Sequence, residues 1–219
     1  MADGGPEQRE DVSFLVFAAS LRAASLNGRL AELAAQTIER NGGHVRRAEM
    51  REFDTPSYDQ DLQDEGEIPP GAVALRDCIE RCDAFVICSP EYNASMPGML
   101  KNTIDWVSRF APQPFNEVDG LLMSASPSMV GGNRGLWALR VPLEHLGAHL
   151  YPNMFSLAQA GDAFTDEQTI ADEQLQARFD ATIVGFMDTV EARKHYPCAK
   201  RAWYEYLGER LVPATARAE

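Results

Sequence analysis

The stretch Asp83-Ala-Phe-Val-Ile-Cys-Ser-Pro-Glu-Tyr-Asn-Ala-Ser-Met-Pro-Gly-Met-Leu-Lys-Asn-Thr-Ile-Asp-Trp-Val-Ser-Arg-Phe110 decides the fold. Residues 83–88 are a largely apolar run, as expected of a strand buried on both faces. The run ends in a polar loop punctuated by Pro90, Pro97 and Gly98. That loop feeds a helical pattern over residues 97–110, with Pro97 near the first turn. In an open parallel sheet, ligands sit in the crevice outside the carboxyl ends of the strands, so residues 89–96 lie where a ligand would be held.

Working outward, residues 12–19 form a second nearly continuous apolar run, read as strand one. After a loop over residues 20–25, Leu30, Leu33, Ala34 and Ile38 recur at helical spacing, and Asn41-Gly-Gly43 supplies the stop, giving a helix over 26–40. Residues 44–50 read as a weaker strand, 53–70 as a long surface loop, and 72–81 as helix two. Residues 118–125 give strand four, followed by a small-residue loop over 126–135 and a helix reaching Leu146, with Gly147 as its C-terminal cap. Strand five is expected over 150–157, where Pro152 suits a strand start or an edge. From 172 to 194 runs a long amphipathic helix presenting Leu175, Phe179, Ile183, Phe186, Met187 and Val190 to the sheet.

Strands alternating with helices predict an α/β three-layer sandwich: a five-stranded parallel sheet of flavodoxin-like order 2-1-3-4-5 with helices on both faces. One domain over 12–194 is expected, with a disordered tail at 1–11 and a C-terminal extension at 195–219. The extension carries Trp203, Tyr204, Tyr206, Leu207 and Leu211 and reads as an extra helix, docked at home or on a second subunit.

The 219 residues carry 33 acidic and 20 basic side chains, a formal charge of −13. That balance opposes nucleic-acid binding, which relies on clustered Lys and Arg. No apolar run approaches the roughly 20 residues of a membrane helix, and residues 1–11 lack the apolar segment of a secretory signal; the cytoplasm is the expected compartment. The four cysteines (Cys78, Cys82, Cys88 and Cys198) form no Cys-x-x-Cys pair and are expected as reduced thiols.

Three loops, after strands one, three and four, converge at one end of such a sheet. In the first, Ser20, Ser25 and Asn27 add donors and Arg22 adds charge beside a helix N-terminus, whose unpaired N–H groups and dipole favour an anion. Ser25 reads equally as a helix cap and Arg22 as a solvated surface residue. The loop is neither Gly-x-Gly-x-x-Gly nor a Walker sequence, so dinucleotide and triphosphate readings lack their glycines and lysine. In the second loop, Pro90-Glu-Tyr-Asn93 offers backbone polar groups suited to the edge of a flat heterocycle, or simply turn residues, while Ile104 and Trp106 read as core. In the third, the glycines of residues 124–135 permit close backbone approach to a ligand, or only a turn.

Pro90-Glu-Tyr-Asn93, continuing into Pro97-Gly98, Leu100-Lys-Asn102 and Asp105-Trp106, resembles the pattern of the NAD(P)H-dependent FMN reductases of the flavodoxin-like superfamily, whose members include quinone, chromate and azo-dye reductases. The resemblance covers residues 12–190, supported by Ser20-x-Arg22-x-x-Ser25-x-Asn27, Pro56-x-Tyr58-x-x-Asp61, and Ser124-Ala-Ser-Pro127 with Gly131-Gly132. Two features depart from it: Ala19 stands where the family commonly has Gly, and the tail beyond residue 195 exceeds the usual length.

The resemblance implies FMN, prosthetic or tightly bound, with NADPH or NADH as co-substrate. It implies a phosphate held by Ser20, Arg22, Ser25, Leu26 and Asn27, and a ring edge held by Pro90, Glu91, Tyr92, Asn93, Ser126 and Gly131. No residue of the chain need act as acid, base or nucleophile, because the chemistry belongs to N5 of the flavin. One shared ring face implies ping-pong transfer to a small-molecule electron acceptor; quinones, free flavin, azo dyes, chromate and organoarsenicals all remain open. A homodimer or homotetramer is implied in the same way. The alternative is a flavodoxin-type electron carrier, whose acidity would suit basic redox partners. A hydrolase lacks its Gly-x-Ser-x-Gly elbow. No metal site is expected, since Gly147 interrupts the helix between His145 and His149 and there is no His-Glu-x-x-His sequence.

Overall fold

The computed structural model describes residues 12–66 and 68–196. The expected tail at 1–11 and the aromatic helix of the C-terminal extension lie outside these described residues.

Strands β1 (Ser13–Ala18), β3 (Ala84–Cys88) and β4 (Asp119–Ala125) are buried almost throughout. Successive residues of a strand point to opposite faces, and two apolar layers separate accordingly. Phe14, Val16, Val86, Cys88, Leu121 and Met123 face α1 (Leu26–Arg40) and α6 (Glu173–His195). Leu15, Phe17, Phe85, Ile87 and Leu122 face α3 (Pro70–Glu80), α4 (Gly98–Val107) and α5 (Asn133–His145). With β2 (His44–Glu49) on the outer side of β1 and β5 (His149–Leu150) on the outer side of β4, the parallel path runs β2-β1-β3-β4-β5. Because every pairing is parallel, the loops leaving β1, β3 and β4 emerge at one sheet edge.

Strand five departs from expectation. Instead of one strand over 150–157, the structure has β5 (His149–Leu150) against Asp119 and Gly120, and β6 (Phe155–Leu157) against Met123 to Ala125. Leu121 and Leu122 therefore stand opposite four residues, 151–154, and the ladder cannot continue. Pro152 has no N–H to donate there. Arg140 on α5 donates to the carbonyls of Tyr151 (3.1 Å) and Leu150 (3.3 Å) at the break. The consequence for function is that β6 delivers a fourth loop, residues 158–171, to the edge shared by the other three.

Residues 53–70 are also more structured than a surface loop. A 3-10 turn (Met50–Phe53) and a short α2 (Gln60–Asp64) flank an extended piece that α4 holds down. Asn102 accepts from the Tyr58 N–H (2.7 Å) and donates to Thr55 Oγ1 (2.9 Å) and the Pro56 carbonyl (2.8 Å). Trp106, fully buried as expected, donates its Nε1–H to the same carbonyl (2.9 Å) and meets the Tyr58 ring edge-on at 5.0 Å. Cys78, Cys82 and Cys88 are free thiols; Cys198 lies outside the described residues.

Candidate functional site

Loop one continues β1 through Ala19, whose N–H donates to the Cys88 carbonyl (2.9 Å), and then opens to solvent. Leu21, Arg22, Ala23 and Ala24 are exposed. Ser25 closes the loop as N-cap of α1, in extended conformation, accepting from the Gly28 N–H at 3.2 Å. The first turn of α1 has no acidic residue, so its positive dipole end is not neutralised from within the helix. Ser20 accepts from the Arg22 N–H (3.3 Å), and Arg51 donates to the Leu21 carbonyl (2.7 Å). Leu26 packs partly against the core.

The side chain of Asn27 is engaged within the protein. Expected as a side-chain donor to an anion, it is buried, with Nδ2 donating to the Ala125 carbonyl and Oδ1 accepting the Ala125 N–H, each at 2.9 Å. The side chain braces α1 to the end of β4. What Asn27 can offer an anion is its backbone N–H, one of the groups a helix start leaves unpaired.

Loop two leaves β3 through Ser89, whose N–H donates to the Met123 carbonyl (2.8 Å). Tyr92 and Ser95 exchange two backbone hydrogen bonds (2.9 and 3.0 Å), and the residues between them, Asn93 and Ala94, have φ of 52° and 61°. Two successive positive φ values across a two-residue connection make the mirror-image turn of type I′. Asn93 and Ala94 are exposed at its tip, with the Tyr92 ring 51% exposed beside them. Pro90 is half-buried at the start of the loop.

The Glu91 side chain is likewise engaged within the protein. It is 8% exposed and turns from the loop tip toward α5, where it accepts from Arg134 Nε (2.9 Å), Arg134 Nη2 (2.5 Å) and the Gly135 N–H (3.1 Å). Burial works against its ionisation, but these donors outweigh it and hold the carboxyl below its ordinary value.

Loop three is held by backbone. Ser126 donates its N–H to the Leu157 carbonyl (3.0 Å), and its Oγ pairs with Ser128 (3.1 Å). Gly131 and Gly132 have φ of +64° and +84°. A Cβ on Gly132 would fall 2.0 Å from Ser124 Oγ, so the turn lies directly on the end of β4. The hydroxyls of Ser124 and Ser156 are buried there without a partner among the described residues. Met129, 76% exposed, and Val130 stand at the rim.

The fourth loop was not anticipated. Gln159 and Ala160 donate their N–H groups to the carbonyls of Ser128 (3.1 Å) and Ser126 (3.0 Å), joining it to loop three. Arg29 fastens its far end over α1, donating to Gln168 Oε1 (3.1 Å) with its guanidinium 4.5 Å above the Phe164 ring. The break at Pro152 and the Gly161-Asp162 punctuation after Phe155-Ser-Leu157 are the sequence signals that could have revealed it.

The arrangement brings an open anion-ready helix start together with a rigid turn and a glycine-lined wall. Burial raises the Cys88 thiol pKa steeply, leaving it a poor nucleophile. No cluster of three or more metal-ligating side chains occurs among the described residues. These features fit a cofactor with a phosphate at one end and a flat ring at the other: a phosphate at the start of α1, a ring against loops two and three.

Comparison with known proteins agrees. Residues 12–162 match the family model described as NADPH-dependent FMN reductase. A quinone reductase of Escherichia coli K12 is 37% identical over 143 residues, covering 64% of this chain and 73% of the relative. An NAD(P)H-dependent FMN reductase of Pseudomonas aeruginosa is 31% identical over 166 residues, covering 75% and 88%. Among solved structures, the flavoenzyme NAD(P)H:(acceptor) oxidoreductase FerB of Paracoccus denitrificans superposes with a TM-score of 0.70 at 26% identity, covering 83% of this chain and 98% of that one. The chain therefore belongs to the NADPH-dependent FMN reductase family: it is a flavodoxin-like oxidoreductase with FMN as cofactor and NAD(P)H as co-substrate.

Proposed function

We propose that this protein passes electrons from NADPH or NADH to a quinone, a flavin or a similar small acceptor in ping-pong order, the two substrates using one open face of the site in turn. When bound, FMN supplies the two-electron redox chemistry; the chain binds, orients and shields. The observation that carries this reading is the convergence, at one sheet edge, of an α1 start free of acidic residues with the rigid turn at 92–95.

In this reading Ser20, Arg22, Ser25 and the backbone N–H groups of Leu26 and Asn27 hold the phosphate. Pro90, Tyr92 and Asn93 line one ring edge, and Ser126 and Gly131 the other. Backbone donors fixed before the ligand arrives cost little reorganisation, which favours charge developing on the ring. The relatives that support the reading are enzymes, which speaks against a carrier that makes no productive encounter with NAD(P)H.

Self-association belongs to the same proposal. Met129 (76% exposed), Trp137 (58%) and Val141 (69%) lie on loop three and the outer side of α5, apolar surface suited to a second copy. No helix among the described residues is long and apolar enough to cross a membrane, and we place the protein in the cytoplasm. The test is steady-state oxidation of NADPH and NADH by FMN-loaded protein at several quinone concentrations. Parallel double-reciprocal lines are expected. Intersecting lines would reject the shared face, and no turnover despite bound flavin would reject the enzymatic reading. Light scattering of the same sample measures the oligomer.

A further inference from the structure

Helix α5 starts in a way that its own residues do not support. Its N-cap, Gly132, has no side chain to receive the first N–H groups, and its first turn holds no acidic residue. Arg134 instead places a cation beside the positive end of the helix dipole, an unfavourable location taken alone. Glu91 supplies what is missing from another loop. Its carboxylate receives both the Arg134 guanidinium and the Gly135 N–H, acting as a cap and counter-charge donated across 44 residues of chain.

The fit at residue 135 is tight. A Cβ there would stand 3.1 Å from Glu91 Cα and 3.1 Å from the Ser95 carbonyl oxygen, so loop two would have to give by a few tenths of an ångström. Helix α5 thus touches loop two at both ends of its turn, at Glu91 and at Ser95. Glu91 directly precedes Tyr92, whose backbone closes that turn.

We propose that Glu91 is a positioning residue and not a flavin ligand: with Arg134 it forms a latch that fixes the turn at 92–95 against α5 and so sets the wall presented to the ring. This rests on loop two being that wall, as proposed above. The latch makes a prediction that a ligand role does not. Arg134 has a side chain 60% exposed and carries no assigned contact with the cofactor, yet removing it should disturb the cofactor.

The experiment titrates FMN into cofactor-depleted wild type, Glu91→Gln, Arg134→Met, Arg134→Lys and the Glu91→Gln/Arg134→Met double variant, reading the dissociation constant and the visible circular dichroism of the bound flavin. A charge-assisted hydrogen bond is stronger than a neutral one, and only a part of its contribution reaches the ring. A weakening of about tenfold is therefore expected for Arg134→Met, with an altered dichroic band. Arg134→Lys should recover part of the loss, and the double variant should be no weaker than Glu91→Gln, because both changes open one latch. Should Arg134→Met bind FMN with wild-type affinity and spectrum while Glu91→Gln does not, Glu91 contacts the ring itself and the latch is wrong. Additive losses in the double variant would reject it too. Failure of wild type itself to bind FMN would overturn the reading of the site, and the latch with it. Exposure of Arg134 makes the single Arg134 variants the ones expected to fold normally.

Discussion

Loops one and two stand at the same sheet edge and are built in opposite ways. Loop one, exposed from Leu21 to Ala24, is tied down by Arg51 on the Leu21 carbonyl and by the Ser20 hydroxyl on the Arg22 N–H. Loop two is closed by paired backbone bonds, carries two left-handed residues and is latched through Glu91 to α5. The contrast follows from what each would hold. A phosphate is a concentrated charge that can be met by an exposed loop, and its charge-assisted bonds offset any ordering it requires. A ring edge offers a few neutral donors and acceptors in fixed directions, so affinity there depends on a wall that is already in place.

The comparison breaks most severely where the rigid wall meets the sheet. Gly132→Ala would force a left-handed φ on a residue with a side chain and drive its Cβ into Ser124 Oγ, so a loss of about 2 to 5 kcal/mol is expected, read from the urea midpoint. Next comes the brace beneath loop one. Asn27→Ala leaves the buried N–H and C=O of Ala125 unpaired, and about 2 to 4 kcal/mol of global stability should be lost. Were Asn27 a phosphate ligand only, its removal would leave the unliganded protein as stable as wild type. Arg22→Ala probes the open loop itself: stability should stay within about 0.5 kcal/mol, while the FMN dissociation constant rises about tenfold. Unchanged affinity would remove Arg22 from the phosphate site.

The latch also makes the wall sensitive to acid. The Glu91 carboxyl lies below its ordinary value of 4.5, so its contribution is present above that value and lost as pH falls through the lower folded one. Glu32 and Glu39 on Arg47, and Asp83 with Ser13 and Lys194, are depressed as well, so wild type alone cannot isolate it. The difference in urea stability between wild type and Glu91→Gln, measured from pH 6 down toward 3, a window spanning roughly the carboxylate range, should shrink as pH falls; a constant difference would place the effect elsewhere.

Much of this frame was legible in the chain. β1, β3 and β4 are apolar runs because both faces are buried, and α1 runs from Leu26 to Arg40 as its spacing and its Asn-Gly-Gly stop dictate. What was not legible depends on partners distant in sequence. The fixing of residues 54–58 needs Asn102 and Trp106, 44 to 50 residues away, and Glu91 needs Arg134, 43 away. Strand five hid its break for a related reason. Phe155-Ser-Leu157 is as apolar as a continuation would be, and only the pairing offset along β4 shows that the ladder restarts. The motif named Glu91 and Asn27, but residue type alone could not show that their side chains bond Arg134 and Ala125.

The smallest effect is the one that sharpens the contrast most. Ala94 sits at φ 61° without the side-chain hydrogen bonding that helps asparagine tolerate that region, a cost of about 1 kcal/mol. Glycine relieves that strain but loses more freedom on folding, so Ala94→Gly should raise stability by no more than about 0.5 kcal/mol. If loop two functions because it is fixed in advance, the looser glycine turn should bind FMN slightly less tightly even as the protein becomes slightly more stable. If the turn is only a connection, affinity will follow stability or not move. Measuring the urea midpoint and the FMN dissociation constant on the same variant separates the two, because only a wall whose rigidity matters yields opposite signs.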